Sequence, residues 1–243
     1  FVGVGGWNFA PWRGSFYPKG LTQTKELHYA SRELTSIEIN STFYGLQKPA
    51  TFQKWANETP DGFVFSVKAP RFVMLRSDLT SAKSALERFL DSGLTELGVK
   101  LGPINWQLAP NKVFDTKEIA GFLALLPRTL DGRALRHAIE ARHESFASEE
   151  FIALAREHEV AIVEAGDSEH PHIEARTAPF SYLRVMGTKA SAPNGYAPAA
   201  LERWSKHAQD LAGEGDVFFY FISGAKERNP LAARALIAAL DPR

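Results

Sequence analysis

Short apolar, β-branched runs alternate with helical patterns along the whole chain, and this alternation narrows the possible folds most. Eight runs read as strands: Val2 to Gly6, Ser36 to Phe43, Phe63 to Lys68, Leu97 to Leu101, Ala138 to Arg142, Val160 to Glu164, Ser181 to Met186 and Val217 to Ile222. Ile104 to Leu108 continues the fourth beyond a Gly102-Pro103 break, and the sixth runs on to Asp167. Between them lie stretches with apolar residues at helical spacing. These are Thr22 to Leu34, Pro49 to Glu58, Leu79 to Leu90, Lys117 to Leu126, a Ser148-capped segment to His158, Pro198 to Leu211 and Pro230 to Leu240. Only the connection between the sixth and seventh strands lacks a helical pattern. Strands separated by helices pair in parallel, because a crossover returns the chain to the same end of the sheet. Eight such units in 243 residues predict a closed (β/α)8 TIM-like barrel forming a single domain. No repeat or low-complexity linker marks a second unit.

The expected barrel sets where function should lie. Side chains alternate along a strand, so Ile37 and Ile39 share one face while Glu38 and Asn40 share the other. Buried carboxylates and amides need partners, and the loops after the strands of such a barrel form the rim that carries its sites. The strand ends deliver Trp7, Asn8, Glu38, Asn40, Tyr44, Lys68, Lys100, Gln107, Glu140, Arg142, His143, Glu164, Asp167, Tyr182, Arg184, Tyr220 and Ser223. Glu38 and Glu140 are the acid–base candidates, since carboxylates beside lysines can hold different pKa values. Lys68 is the expected partner of Glu38. His143 is a candidate general base, or a hydrogen-bonded post at a strand end. Trp7, Asn40, Tyr44, Lys68, Lys100, Gln107, Arg142, Asp167, Tyr182 and Arg184 are the candidate substrate contacts, with the cations suited to a small anion. An ion-pair network filling the barrel mouth would leave the same pattern.

Other chemistries find little support. Lys+Arg and Asp+Glu both number 28, so net charge gives no reason to expect nucleic acid or an anionic membrane. The chain has no cysteine, which removes thiol nucleophiles and thiolate metal sites and leaves a reducing cytosol as the default setting. No apolar run approaches the ~18 residues of a membrane span, and the first residues do not form a signal peptide. His170 and His172, with Asp167 and Glu169, match no zinc spacing and read as a solvated loop, so no metal is expected. Gly3, Gly5 and Gly6 are not followed at once by a helix, so the dinucleotide fingerprint is not met. Ser15, Ser41 and Ser145 lack a nucleophile elbow. No pattern identifies a cofactor. Of the aromatics, Trp12 and Phe16 are expected to plug the first loop, and Trp7 and Tyr44 to wall a site.

Several motifs recur together in one known family. Gly5-Gly6-Trp7 with Trp12, Gly14, Phe16, Tyr17 and Pro18 resembles the start of the YecE-like family, domain of unknown function 72. Glu38-Ile39-Asn40-Ser41-Thr42-Phe43-Tyr44, Trp55, Thr59-Pro60, Phe63, Phe65, Ser66, Lys68, Ala69, Leu101-Gly102 and Gln107-Leu108 continue the resemblance. Glu140, Arg142, His143, Ser145, Tyr182, Arg184 and Gly187 complete it. The resemblance spans almost the whole chain and implies a TIM-like barrel without supplying a reaction. The chain departs from the family pattern at Met74, Leu75 and Arg76, at Met186, and at Ile222 and Ser223. These presumed rim positions imply a variant substrate or the loss of an activity. Three functions follow as expectations. They are an enzyme doing acid–base chemistry on a small anionic, sugar-phosphate-like substrate, a non-catalytic binder, and a nucleic-acid-processing protein.

Overall fold

In the computed structural model, which describes residues 1–241, the eight strands close into one parallel barrel. They are β1 (Val2–Gly5), β2 (Ser36–Ile39), β3 (Val64–Lys68), β4 (Leu101–Gln107), β5 (His137–Glu140), β6 (Ala161–Glu164), β7 (Phe180–Val185) and β8 (Asp216–Phe221). Each pairs with the next, and β1 returns to β8 through Val2 opposite Phe219. The outer helices are α1 (Glu26–Glu33), α2 (Pro49–Glu58), α3 (Lys83–Leu90), α4 (Thr116–Ala124), α5 (Glu149–Glu157), α6 (Pro198–Ala212) and α7 (Asn229–Leu240). Among the described residues no helix lies between β6 and β7, as the sequence pattern predicts. No described helix is long and apolar enough to cross a membrane.

Alternation along the strands makes two apolar layers. Outward side chains such as Ile37, Phe65, Ile104, Ile139 and Leu183 are buried against the helices. Inward ones, among them Val64, Ala138, Val163, Phe180 and Phe218, fill the lower barrel. Trp12 and Phe16 are buried, and the Trp12 indole N–H donates to the carbonyl of Lys226 at 2.8 Å, so the first loop does plug the outer core. Ser148 caps α5 by accepting from the Phe151 N–H, as expected.

Two strand boundaries differ most from the sequence expectation. β2 ends at Ile39, and Ser41–Tyr44 turns into a short helix. The Thr42 hydroxyl lies 2.7 Å from the carbonyl of Lys68 and 3.0 Å from that of Ile39, satisfying backbone at the strand end. Leu94–Lys100, whose second half looks strand-like, is a 3-10 segment with a turn at Gly98 (φ 61°). β4 therefore starts at Leu101, and Gly102-Pro103 lies inside it, where the register with β3 shifts between Phe65 and Val67. A register irregularity is where proline is tolerated within a sheet.

One histidine bears on acid stability. His137 on β5 accepts from the Trp106 indole N–H at 3.1 Å and donates from Nε2 to the Pro127 carbonyl at 2.8 Å. Burial holds its pKa at about 4. Below its ordinary value near 6.5 the unfolded chain takes up a proton that the folded chain refuses until about 4, so folding stability falls with pH across that window. The expected loss is about 3 kcal/mol. Denaturant midpoints from pH 7 to 4 measure it, with imidazole NMR identifying His137. A His137 resonance titrating near 6.5 would rule this account out.

Candidate active site

Inward positions at the upper ends of the strands build one charged layer. Glu38 follows Ser36 on the inner face of β2, Lys68 follows Ser66 on β3, and Arg184 follows Tyr182 on β7. Asn105 and Gln107 on β4 and Glu140 on β5 complete the layer. Below it, the Ser36 hydroxyl donates to the Val64 carbonyl at 2.7 Å and meets the Tyr220 hydroxyl, also at 2.7 Å. The Tyr220 hydroxyl also meets Ser66. Tyr182, two residues before Arg184 on the same strand face, is buried with its ring centre 5.2 Å from that of Tyr220. It does not line the rim, so its expected role as a substrate contact is corrected to one inside the barrel.

Arg184 organises the layer. Its guanidinium contacts Glu38 through Nε at 3.2 Å and Nη2 at 3.1 Å, and Nη1 binds Glu140. Arg142 grips the other oxygen of Glu140 at 2.8 Å. Gln107 accepts from both arginines, at 3.0 and 3.2 Å. The Asn105 amide nitrogen sits between the carboxylates, 3.3 Å from Glu38 and 3.4 Å from Glu140, and its oxygen has no hydrogen-bond partner among the described residues. Glu38 and Glu140 are completely buried. Burial pushes the Glu140 carboxyl up, but Arg184 and then Arg142 more than reverse this and hold it at about 2.

Lys68 differs from its neighbours. The expected Lys68–Glu38 pair is not formed, because Arg184 occupies Glu38 from across the barrel. The Lys68 ammonium instead lies 4.4 Å from the centre of the Phe43 ring. Burial first, then Arg184, lowers its pKa to about 8, against the opposing pull of Glu38 and Glu140. With Arg142 and Arg184 it makes three cations against two carboxylates.

Above this layer opens a cleft of about 800 Å³. Lys68, Gln107, Arg142 and Arg184 form its charged floor, and Trp7, Asn40 and Tyr44 lie in its walls, so seven of the expected site residues converge there. Trp7 packs edge-on against Trp55 at 5.1 Å, and Tyr44 remains 70% exposed. Asn8, expected beside Trp7 at the end of β1, also lines the cleft, whereas Gln47, Trp55 and Lys226 line it and were not anticipated; they come from loops and helices whose sequence carries no rim signal. Asn105 had a usable signal, standing two residues before Gln107 on the same strand face. Of the departures from the family pattern, Ile222 and Ser223 line the cleft, whereas Met74 is fully buried.

The remaining expected residues lie elsewhere. Lys100 precedes β4, at the opposite end from the rim, and its ammonium binds the carbonyls of Ala56 and Thr59 at 2.6 Å each, satisfying the last turn of α2. Its expected substrate role is therefore corrected. His143 Nδ1 accepts from the Ser145 N–H at 3.2 Å, and Ser145 in turn accepts from the Phe114 N–H. That makes His143 a capping post outside the cleft lining. One Asp167 oxygen accepts from the N–H groups of Met186 and Gly187, both at 2.8 Å, and the other from the Tyr196 hydroxyl at 2.7 Å. It braces the loop after β7 rather than the cleft. His170, expected in a solvated loop, is lowered in pKa by burial and then by Arg142.

The sequence pattern described as "Protein of unknown function DUF72" matches residues 1–243. The UPF0759 protein YecE of Escherichia coli is 27% identical over 149 residues, covering 60% of this chain and 49% of YecE. The UPF0759 protein YunF of Bacillus subtilis is 33% identical over 69 residues, covering 28% of this chain and 23% of YunF. These matches thus span half or less of the curated relatives' length. The crystal structure of a DUF72 family protein from Thermotoga maritima superposes with a TM-score of 0.74 at 19% identity, covering 97% of this chain and 96% of that one. At that identity the likeness establishes the barrel alone.

Proposed function

The chain belongs to the DUF72 family of proteins of unknown function, and from the charge layer beneath its rim cleft we propose an enzyme performing acid–base chemistry on a small anionic, sugar-phosphate-like molecule. The observation that carries this reading is Lys68, a cation of the cleft floor that makes no hydrogen bond to a carboxylate among the described residues and has a pKa of about 8. A lysine held there exists in both protonation states near neutrality, as a proton-transfer group requires. Arg142 and Arg184 would hold the substrate's negative charge. Trp7, Trp55 and Tyr44 offer flat faces to a sugar, with Asn8 and Asn40 as hydroxyl partners. Glu38 and Glu140 then act by fixing the guanidiniums, and Lys68 takes the proton-exchanging role.

Sulfate tests the anion site because its charge is constant over the relevant range. Lys68 loses its proton as pH rises through about 8, so sulfate affinity is expected to be full below that value and to fall above it. Lys68→Met should weaken sulfate binding about 10- to 100-fold at pH 7, the worth of one charge-assisted contact. Lys68→Arg should retain affinity and lose the step near pH 8. Calorimetric affinities that stay flat from pH 6 to 10, or that match between the wild type and Lys68→Met, would remove the proposal. A non-catalytic binder is the second reading, favoured by the complete burial of both carboxylates. Sugar phosphates that bind through Lys68 and return unchanged after prolonged incubation would select it. Binding of oligonucleotides in place of these small anions would point to the nucleic-acid alternative.

A further inference from the structure

The missing helix between β6 and β7 leaves a second feature on the barrel's flank. The chain covers β6 there with an irregular segment, residues 165–179, and a groove of about 230 Å³ remains between it and α6. None of the groove's lining residues lines the rim cleft. Glu164, the last residue of β6, points outward into it. Glu174 lines it from the irregular segment and His207 from α6, while His172 of the same segment contacts Glu164 beside it.

Two kinds of contact meet at Glu164. His207 Nε2 lies 2.8 and 3.0 Å from its two oxygens, the length of a charge-assisted hydrogen bond. His172 Nε2 stands off, 3.3 Å from Glu164 and 3.5 Å from Glu174. All three ligand atoms lie within 4.8 Å of one another. Ligand atoms bound at about 2.0–2.1 Å around a tetrahedral zinc ion sit about 3.3–3.4 Å apart. The His172 contacts match that edge, whereas an imidazole bonded between two carboxylates would close to about 2.7–2.9 Å.

We propose that Glu164, His172 and Glu174 form a binding site for a first-row divalent metal ion of the zinc class, with His207 orienting the Glu164 carboxylate. One imidazole and two carboxylates favour such an ion over Mg²⁺ or Ca²⁺, which take oxygen ligands only. His207 supplies the outer hydrogen bond that fixes a ligating carboxylate. Because Glu164 belongs to β6 and the other two ligands to the segment packed over it, the ion clamps that segment to the barrel where a helix would otherwise pack.

The test is Zn²⁺ titration of the full chain after chelator treatment, followed by calorimetry, with amide hydrogen exchange as a second readout. One ion should bind per chain and slow exchange within residues 165–179. His172→Ala and Glu174→Gln should each weaken binding at least about 10-fold. Glu174 is the decisive variant for folding, because its side chain is 68% exposed and its replacement leaves the core untouched. Lys68→Met, in the rim cleft, should bind Zn²⁺ as the wild type does. Absence of stoichiometric binding, or binding that both ligand variants retain, overturns the site.

Discussion

Arg184→Met is expected to destabilise the protein by at least about 3–5 kcal/mol, the cost of leaving buried charge without its partner. The side chain is 3% exposed and serves two completely buried carboxylates at once, Glu38 and Glu140. Methionine fills comparable volume, so the loss is electrostatic rather than a cavity. Glu140 would keep Arg142, but Glu38 would retain only the 3.3 Å amide contact from Asn105. Against a typical total of 5–15 kcal/mol, this brings the variant close to unfolding at room temperature. The pH dependence identifies the cause. In the wild type the Glu140 pKa of about 2 lies below the usual carboxylate value, so its contribution is full above about 4.5 and is lost as pH falls toward 2. In the variant a buried carboxylate without its cation gains a proton on folding, so acidification from pH 7 to 5 should recover part of the loss. Adding Glu38→Gln should recover more. Urea midpoints measure all three proteins, and a single variant within 1 kcal/mol of wild type at pH 7 would show that Arg184 does not hold the layer together.

The layer was legible in part because strand alternation is a local rule. Glu38, Lys68, Glu140 and Arg184 each stand on the inner face of a strand that the sequence pattern marks. Their partnerships were not legible, because closure brings opposite strands together at the barrel centre. Glu38 on β2 therefore meets Arg184 on β7 instead of Lys68 on the adjacent β3. Lys100 was misplaced for a different reason. Leu97-Gly98-Val99-Lys100 has strand-like composition, but the turn at Gly98 makes it a 3-10 end, and the lysine caps α2 at the opposite face. The flank cluster was legible only in part: His172 stood out in its loop, but Glu164, 8 residues before it, reads as a strand end, the set matches no zinc spacing, and His207 joins from α6, 43 residues beyond Glu164.

The position of the cleft follows from what β1 lacks, and Gly3→Ala should show it. Val2 and Val4 face the helices, so Gly3 and Gly5 take the inner positions of β1 and bring no side chain to the barrel interior. A Cβ on Gly3 would lie 1.9 Å from the Ser36 carbonyl oxygen and 2.6 Å from its carbon. Those are backbone atoms of the strand paired with Gly3, and the Ser36 hydroxyl is tied to Val64 and Tyr220. Relief requires opening the β1–β2 register, so the cost should reach or exceed the upper end of ordinary overpacking, about 3 kcal/mol. For a chain of this length that lowers the melting temperature by about 6–12 °C. Gly5→Ala separates the two roles. Its Cβ would meet the Asn40 amide nitrogen at 2.7 Å, a side-chain end that can rotate, and the Ile222 γ2 methyl at 3.1 Å, which must give slightly; both residues line the cleft. It should stay within about 1 kcal/mol of wild type while weakening small-anion binding, because a rotated Asn40 side chain intrudes on the cleft. Equal melting temperatures for wild type and Gly3→Ala would mean the strands can part at little cost. The bare inner face of β1 would then have to be explained by the cleft alone.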